Sequence, residues 1–569
     1  MTNQTIAQLL GEISKYLLLK DDNPFKVKAF ANAAQVLRDL NEDIRELAGE
    51  GSLQNIKGLG ASTQKLILEY IQSGQILYHK ELKDAFPENI LTLFKISGLG
   101  PKKMKFLYDQ LNISNIKELE YACHENRLME LKGFGIKSQE KILKEIHNIY
   151  KNAGHFLLST ASTLTHQIVD HLNEAPGVIH VSPVGEIRRR NEIISCVNIL
   201  ISTSMHRETV SHISQFPGIN RIIEADESEI LIQSLSGLKV SIKIVPEELF
   251  YIHQFIDTAS QKHLQQVKKH ALQQDIKLSH DGISKNGEHV HCPDEKSIYE
   301  TLQMSWIAPE LREGLGEVEA ALNDSLPSLI THKSIRGIFH NHTTWSDGSA
   351  SIEKMALTAK DFSLQYIGIS DHSKSAVYAG GLNEEELLEQ MDEIDRLNET
   401  LSGITILKGT EVDILSDGSL DLDDSVLAQC DFVIASVHSQ FNMDSKTMTR
   451  RLVRAMENPY VTMIGHPTGR LLLGRAGYQF DVDLFLETAK RHHKVLELNA
   501  NPHRLDLNWL TLRKAKDMGL KVSINPDAHR PEGIYYLQYG IDTARRAWLT
   551  DEDCLNTLSL NDVRDALKI

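Results

Sequence analysis

Phe339-His340-Asn341-His342-Thr343-Thr344-Trp345-Ser346-Asp347-Gly348 sets two histidines two residues apart and follows them with an aspartate. On an extended strand, residues i and i+2 face the same side, so both imidazoles can reach one cation, with Asp347 added from the next loop. Metal-type side chains recur in Ser370-Asp371-His372, Gly409-Thr410-Glu411, Ser436-Val437-His438-Ser439, Gly465-His466-Pro467 and Pro526-Asp527-Ala528-His529. Each is expected to follow an apolar strand. Strands at 366–369, 432–437, 495–498 and 521–524 alternate with helical segments. That is the order of a βα barrel, which carries its chemistry at the carboxy-terminal ends of its strands.

A lone histidine at such a place is most often a hydrogen-bonded core or surface residue. Six strand ends each delivering His, Asp or Glu are not explained that way, and the donors are too many for one closed tetrahedral site. A cluster of two or three cations follows, with Zn²⁺, Mn²⁺ or Fe²⁺ all compatible with imidazole and carboxylate ligands. Clustered cations acidify water and neutralise developing charge on phosphate oxygens, so the chemistry expected is phosphoester hydrolysis. Arg470, Arg475 and Arg504 flank the metal segments and are candidates to clamp a phosphate, against the plain alternative of surface ion pairs. Asp371 is either an orienter of a ligand histidine or a strand-end cap.

Upstream, residues 4–150 read as short amphipathic helices broken by glycine turns. Ile56-Lys57-Gly58-Leu59-Gly60, Ile96-Ser97-Gly98-Leu99-Gly100 and Leu131-Lys132-Gly133-Phe134-Gly135 repeat one pattern, each before a helix carrying lysine. Paired glycines permit a tight turn at the next helix's start, where backbone N–H groups can face a DNA phosphate. A single Gly-x-Gly would be a plain helix cap; three in the same frame indicate helix-hairpin-helix units that bind DNA without reading sequence. Lys102, Lys103 and Lys137 stand where they add charge to that contact. From about 155 to 245 short β-branched runs at 187–190, 193–201, 229–233 and 240–245 alternate with helices, indicating an α/β unit on a mostly antiparallel sheet.

A chain of 569 residues exceeds one hydrophobic core. The net charge of −16 does not favour nucleic acid, but the excess acid lies outside the first 150 residues, and bound cations would offset part of it. Five separated cysteines without a Cys-x-x-Cys pair argue against a disulfide framework. With no apolar span of about 20 residues and no basic-then-apolar start, a monomer in the cytoplasm, without a membrane partner, is the expectation.

The metal segments resemble the PHP (polymerase and histidinol phosphatase) domain, a distorted (β/α)7 barrel with three metal ions. That resemblance puts ligands on His340, His342, Asp347, His372, Glu411, His438, His466, Asp527 and His529. It implies one ion on His340, His342, Glu411 and Asp527, a second on Glu411, His438 and His466, and a third on Asp347, His372 and His529. The whole chain is similar to bacterial family X DNA polymerases, which also account for Asp22–Phe30 (Asp-Asn-Pro-Phe-Lys-Val-Lys-Ala-Phe) and Pro309-Glu310-Leu311-Arg312-Glu313-Gly314. The implied order is a lyase-like helix-hairpin-helix domain (1–80), helix-hairpin-helix fingers (81–153), a nucleotidyltransferase palm (154–245), a thumb (246–315), a linker (316–334) and the PHP domain (335–569).

The palm departs from the family. Its paired aspartates are replaced by Cys196 and Asn198, the third by Ser241, and the serine of Gly-Ser-x-Arg-Arg by Glu186. The turn that seats the nucleotide reads Asp257-Thr258-Ala259-Ser260. Mg²⁺ needs hard anionic oxygen donors, so no Mg²⁺ and no polymerase activity are expected there. The lyase lysine would fall near Leu66, leaving Lys65 beside it. The resemblance therefore implies a DNA-binding protein whose PHP domain acts as a 3′–5′ exonuclease, abasic-site nuclease or 3′-phosphatase on gapped, nicked or 3′-ended DNA. A small-molecule phosphomonoesterase of the histidinol-phosphate kind, or a non-catalytic DNA-binding scaffold, are the competing readings.

Overall fold

Apolar residues three and four apart on Thr2–Leu19 and Pro24–Asp39 bury Ile6, Leu10, Ile13 and Leu17 against Phe30, Ala33 and Leu37, which fixes these two helices as a pair. Asn23 caps the second by accepting the Phe25 N–H at 2.9 Å, with Pro24 at the first helical position. In the computed structural model residues 2–567 are described, except 41, 88–89, 98, 112, 125–127, 129–133, 153 and 474–475. The chain divides into two units, Met1–Ala153 and Gly154–Ile569.

In the first unit the glycine turns precede helices Ala61–Ser73, Pro101–Leu111 and Ile136–Asn152. Gly58 has φ +98°, and a Cβ there would lie 2.8 Å from Val36 Cγ2, so the turn has both conformational and steric reasons for glycine. Gly60 caps Ala61–Ser73 without a side-chain hydrogen bond, and Gly100 and Gly135 hold the equivalent places before the other two helices. Gly98 and Gly133 lie outside the described residues. Lys102, Lys103 and Lys137 are exposed, and the Lys103 ammonium stands 5.2 Å over the Phe134 ring. Lys65 is exposed on its helix.

In the second unit, β1 (Val178–Val184), β2 (Cys196–Thr203), β3 (Ile219–Ala225), β4 (Glu229–Ser234) and β5 (Lys239–Ile244) form one sheet in the order β1-β2-β5-β4-β3. Only β2 and β5 pair in parallel. Residues 187–190, expected as a strand, are a turn. Gly185 and Arg190 take positive φ there, and the arginines leave the sheet for partners elsewhere. Arg188 bonds Glu295 at 2.8 and 2.9 Å, and Arg189 bonds Glu313 at 3.1 Å. Helix Phe250–Thr258 leads to a three-stranded meander, β6 (Ile276–Ser279), β7 (Gly282–Lys285) and β8 (Glu288–Val290). Fully buried Arg312 also bonds Glu295, at 2.7 and 3.0 Å.

The last seven strands are β9 (Gly337–Ile338), β10 (Tyr366–Ile369), β11 (Thr405–Asp413), β12 (Phe432–Ser436), β13 (Met463–Ile464), β14 (Val495–Asn499) and β15 (Val522–Asn525). All pair in parallel in sequence order, and a parallel bridge between Asn341 and Ala528 nearly closes the barrel. Strands covered on both faces need continuous apolar sequence, which β10 and β12 supply. Phe339, Tyr366, Phe432, Ile434 and Met463 fill one end of the interior. Gly409 is required beside them, since a Cβ there would lie 2.3 Å from the Phe432 ring. With that end packed, polar side chains collect at the other. The barrel is tied to the preceding sheet and helices by Arg470–Glu192 at 2.7 Å, Arg545–Glu310 at 2.8 Å and Arg546–Glu313 at 3.1 Å. Among the described residues no helix is long and apolar enough to cross a membrane.

Candidate metal centre

The strand ends of the barrel bring all nine expected donor residues into one cluster. Glu411 lies at its centre, inside β11 rather than after it, with the strand continuing to Asp413. Its Oε1 is 3.0 Å from His466 Nε2, 3.2 Å from His438 Nε2 and 3.3 Å from His340 Nε2; its Oε2 is 2.9 Å from His372 Nδ1. Asp527 Oδ1 lies 3.2 Å from His342 Nε2 and 3.5 Å from His340 Nε2. Asp347 Oδ1 lies 3.3 Å from His529 Nε2 and 3.8 Å from His372 Nε2.

Donor atoms within 4.8 Å of one another fall into four overlapping sets: His342-Asp347-His372-His529, His340-His466-Asp527, His340-His342-Glu411 and His372-Glu411-His438. His340, His342, His372 and Glu411 each serve two sets, so the donors form one continuous cluster, and the three-way division that the PHP resemblance implies is one way of grouping them. His340 Nε2 and both nitrogens of His342 are buried without a hydrogen-bond partner. Buried polar atoms left in that condition cost free energy unless something else satisfies them, and cations fit this donor set.

The buried carboxylates make the cluster favourable to positive charge. Burial works against charge on His340, but Glu497, Glu411 and Asp527 outweigh it and hold the imidazole well above its ordinary range. His342 is fully buried beside His529 and His372, and is pushed down to about 4, which leaves it neutral and able to ligate. Glu411 and Asp527 stay ionised against full burial because histidines surround them. Asp527 and His466 also sit at positive φ, +52° and +26°, a backbone cost that clusters at functional sites. Asp347 and His529 keep side-chain exposures of 32% and 38%, whereas His340, His342 and Glu411 have none, so the cluster opens to solvent on the Asp347–His529 side.

Two carboxylates essential to this geometry were missed by sequence reading. Glu497 Oε1 accepts the His340 Nδ1–H at 2.7 Å and an Asn525 Nδ2–H at 3.0 Å; its Oε2 accepts the His466 backbone N–H at 2.6 Å. Asp413 Oδ1 accepts His438 Nδ1–H at 2.5 Å. Both fix which ring nitrogen faces inward. Their signals were a lone acid inside the apolar run Val495-Leu496-Glu497-Leu498, and an acid two residues beyond Glu411 on the same strand.

The Asp371 carboxylate is engaged by Thr343, Ser346 and Gln390. It accepts from Thr343 N at 2.7 Å, Thr343 Oγ1 at 2.6 Å, Ser346 Oγ at 2.5 Å and Gln390 Nε2 at 2.7 Å, and so shapes the loop that carries Asp347. Arg504 Nε stands 3.8 Å from Asp527 Oδ2, beside the cluster. Arg470 is not free to clamp a phosphate. Its guanidinium is committed to Glu192, to the Arg504 carbonyl at 2.8 Å and to the Leu505 carbonyl, because it braces the barrel against the neighbouring sheet. Arg475 lies outside the described residues.

In the five-stranded sheet Asn198 and Ser241 are direct partners across β2 and β5, with Cys196 two residues from Asn198 on the same strand. Ser241 Oγ donates to Glu229 at 2.5 Å, and Glu186 accepts from Ser195 N and Oγ, each at 3.0 Å. Burial raises the Cys196 thiol above its ordinary pKa, so it is protonated at neutral pH.

Residues 1–76 match the helix-hairpin-helix domain family, and 90–148 the SAM-like helix-hairpin-helix tandem. Residues 255–313 match the DNA polymerase beta thumb, and 339–501 the PHP domain. The DNA polymerase/3′-5′ exonuclease PolX of Bacillus subtilis (strain 168) is 37% identical over 574 residues, covering 100% of both chains. A probable phosphatase of Thermoanaerobacter sp. (strain X514) is 30% identical over 240 residues, 40% of this chain and 93% of its own. A probable phosphatase of Caldanaerobacter subterraneus subsp. tengcongensis is 32% identical over 207 residues, 33% of this chain and 74% of its own.

Proposed function

This chain belongs to the PolX family of bacterial family X DNA polymerases, and from that premise we propose that it is a DNA-end nuclease with a silent polymerase site. Its barrel shortens DNA strands in the 3′–5′ direction, with abasic-site cleavage and 3′-phosphate removal as related reactions of the same centre. The observation that carries this reading is the contrast between two sites in one chain. Nine His, Asp and Glu donors converge in the barrel, while no carboxylate occupies position 196, 198 or 241 of the sheet.

His340, His342, Glu411 and Asp527 would hold one divalent ion, Glu411, His438 and His466 a second, and Asp347, His372 and His529 a third, with Zn²⁺, Mn²⁺ and Fe²⁺ all suited. Such ions supply Lewis acidity at the phosphate and lower the pKa of a bound water. The chain's own residues set the geometry. Glu497 and Asp413 hold His340 and His438 with their inner nitrogens toward Glu411. Asp371 fixes the loop bearing Asp347, the phosphate enters on the Asp347–His529 side, and Arg504, beside Asp527, can pair with it. The helix-hairpin-helix turns hold the DNA backbone, and sequence-independent contact with gapped, nicked or 3′-ended DNA by a cytoplasmic monomer is part of the proposal.

The test is a 5′-labelled primer–template with Mn²⁺, with and without nucleotides, using the parent chain and His342→Ala and Asp527→Ala. Shortening by the parent alone is expected, without extension. Primer extension would sink the silent palm, and shortening that persists in both variants would remove this centre from the mechanism. The probable phosphatases, which match 40% and 33% of the chain, favour a second reading as a small-molecule phosphomonoesterase. Turnover of histidinol phosphate with no action on DNA would select it.

A further inference from the structure

A second cluster of metal-type donors lies outside the barrel. Helix Phe250–Thr258 carries His253 and Asp257 four residues apart, hence on one face. His280, in the turn between β6 and β7, reaches the same point. Asp257 Oδ1 is 2.7 Å from His280 Nε2, Asp257 Oδ2 is 3.7 Å from His253 Nδ1, and the two imidazole rings are 4.6 Å apart. One donor atom from each of the three residues lies within 4.8 Å of the others.

The plain explanation is an Asp–His hydrogen bond, and it accounts for Asp257 and His280 alone. It leaves out His253, which is 8% exposed and has a buried Nδ1 without a hydrogen-bond partner. At 3.7 Å from Asp257 Oδ2 this buried nitrogen is within ion-pair range but beyond hydrogen-bond distance, which leaves room for a cation between the two. Asp257 is anionic whatever occupies that space: burial would raise its carboxyl, but His253, His280 and Lys243 hold it at about 2.

We infer that His253, Asp257 and His280 bind one divalent transition-metal ion of the Zn²⁺ class, which clamps the β6–β7 hairpin onto helix Phe250–Thr258. Two imidazoles and one carboxylate match the ligand types Zn²⁺ takes with a fourth position open to water. Mg²⁺ and Ca²⁺ prefer all-oxygen surroundings and are poor candidates. Lys243 is the opposing group, with Nζ 3.4 Å from Asp257 Oδ2. Its side chain is 36% exposed and can swing into solvent when the ion binds. The pocket adjoins the turn at Gly185, whose position for a Cβ is 3.7 Å from the Asp257 carbonyl. The ion would therefore stiffen the region next to the altered palm residues, independently of the barrel.

The test is Zn²⁺ content by mass spectrometry after dialysis of the full chain against buffered free Zn²⁺. Parent, His253→Gln, His280→Asn and Lys243→Gln are compared, both alone and with His342→Ala and Asp527→Ala added to disable the barrel centre. The parent is expected to hold one more ion per chain than His280→Asn or His253→Gln in both backgrounds. Ligand loss should weaken affinity at least about 100-fold, beyond the range for outer partners of a ligand. Lys243→Gln should bind on the order of tenfold more tightly, through removal of a like charge. Equal Zn²⁺ in parent and His280→Asn overturns the inference, as does a difference that vanishes with the barrel centre disabled. His280 is about half exposed, so its variant decides the matter if His253→Gln fails to fold.

Discussion

Replacing Glu497 by Gln is the sharpest test of how the barrel centre is held. Both Glu497 oxygens are buried and face donors only: the His340 ring and Asn525 on one side, the His466 backbone and Asn499 Nδ2 at 3.4 Å on the other. Gln keeps the shape but offers one acceptor oxygen and an NH₂, so one pair of donors must meet another donor. If the amide nitrogen faces His340, the inner nitrogen of that ring is no longer fixed toward Glu411 and Asp527. A charge-assisted hydrogen bond of this kind contributes about 1.5–3 kcal/mol. That corresponds to about 10- to 150-fold in ion affinity, comparable to the cost of losing a ligand's outer partner. The expected outcome is a half-saturating Mn²⁺ concentration raised by that factor, measured by nuclease activity and by direct ion binding, with most of the activity recovered at saturating ion. An unchanged half-saturation point would refute the orienting role. A loss of activity equal at every ion concentration would assign Glu497 to folding instead.

Asp413→Asn should act the same way through His438 but more weakly, about tenfold in ion affinity, because that pair is partly exposed; a metal titration checks it. Arg504→Ala should raise the KM for DNA about tenfold with kcat nearly unchanged if the guanidinium pairs with the incoming phosphate; steady-state kinetics on a labelled primer separates the two. Glu295→Gln should destabilise the Gly154–Ile569 unit by about 3–5 kcal/mol at neutral pH, since Arg188 and Arg312 would lose their shared carboxylate. Glu295 is depressed from 4.5 to about 2, burial being outweighed by the two arginines. Its contribution, about 3 kcal/mol, is therefore present above pH 4.5 and disappears as pH falls through about 2. Denaturant unfolding of parent and variant across that window should show the gap closing.

The donor set was legible in sequence because metal chemistry restricts residue type, and parallel strands buried on both faces leave long apolar runs that any His, Asp or Glu interrupts. The glycine repeats were legible for a similar local reason, since a positive φ at Gly58 and a tight approach to Val36 exclude a side chain. Side chains whose meaning depends on distant partners were not legible. Residues 187–190 look like a strand by composition, yet form a turn whose arginines pair with Glu295 and Glu313, more than a hundred residues away. Arg470 looks like a phosphate clamp until Glu192 is found beside it, and Glu497 looks like an anomaly until His340 is. The amino-acid sequence by itself determined which side chains could coordinate and that positions 196, 198 and 241 carry no carboxylate, because those are properties of residue type. Only the tertiary structure decided which nitrogen faces inward, which arginine is already engaged and where the cluster opens to solvent, because each depends on packing between segments far apart in the chain.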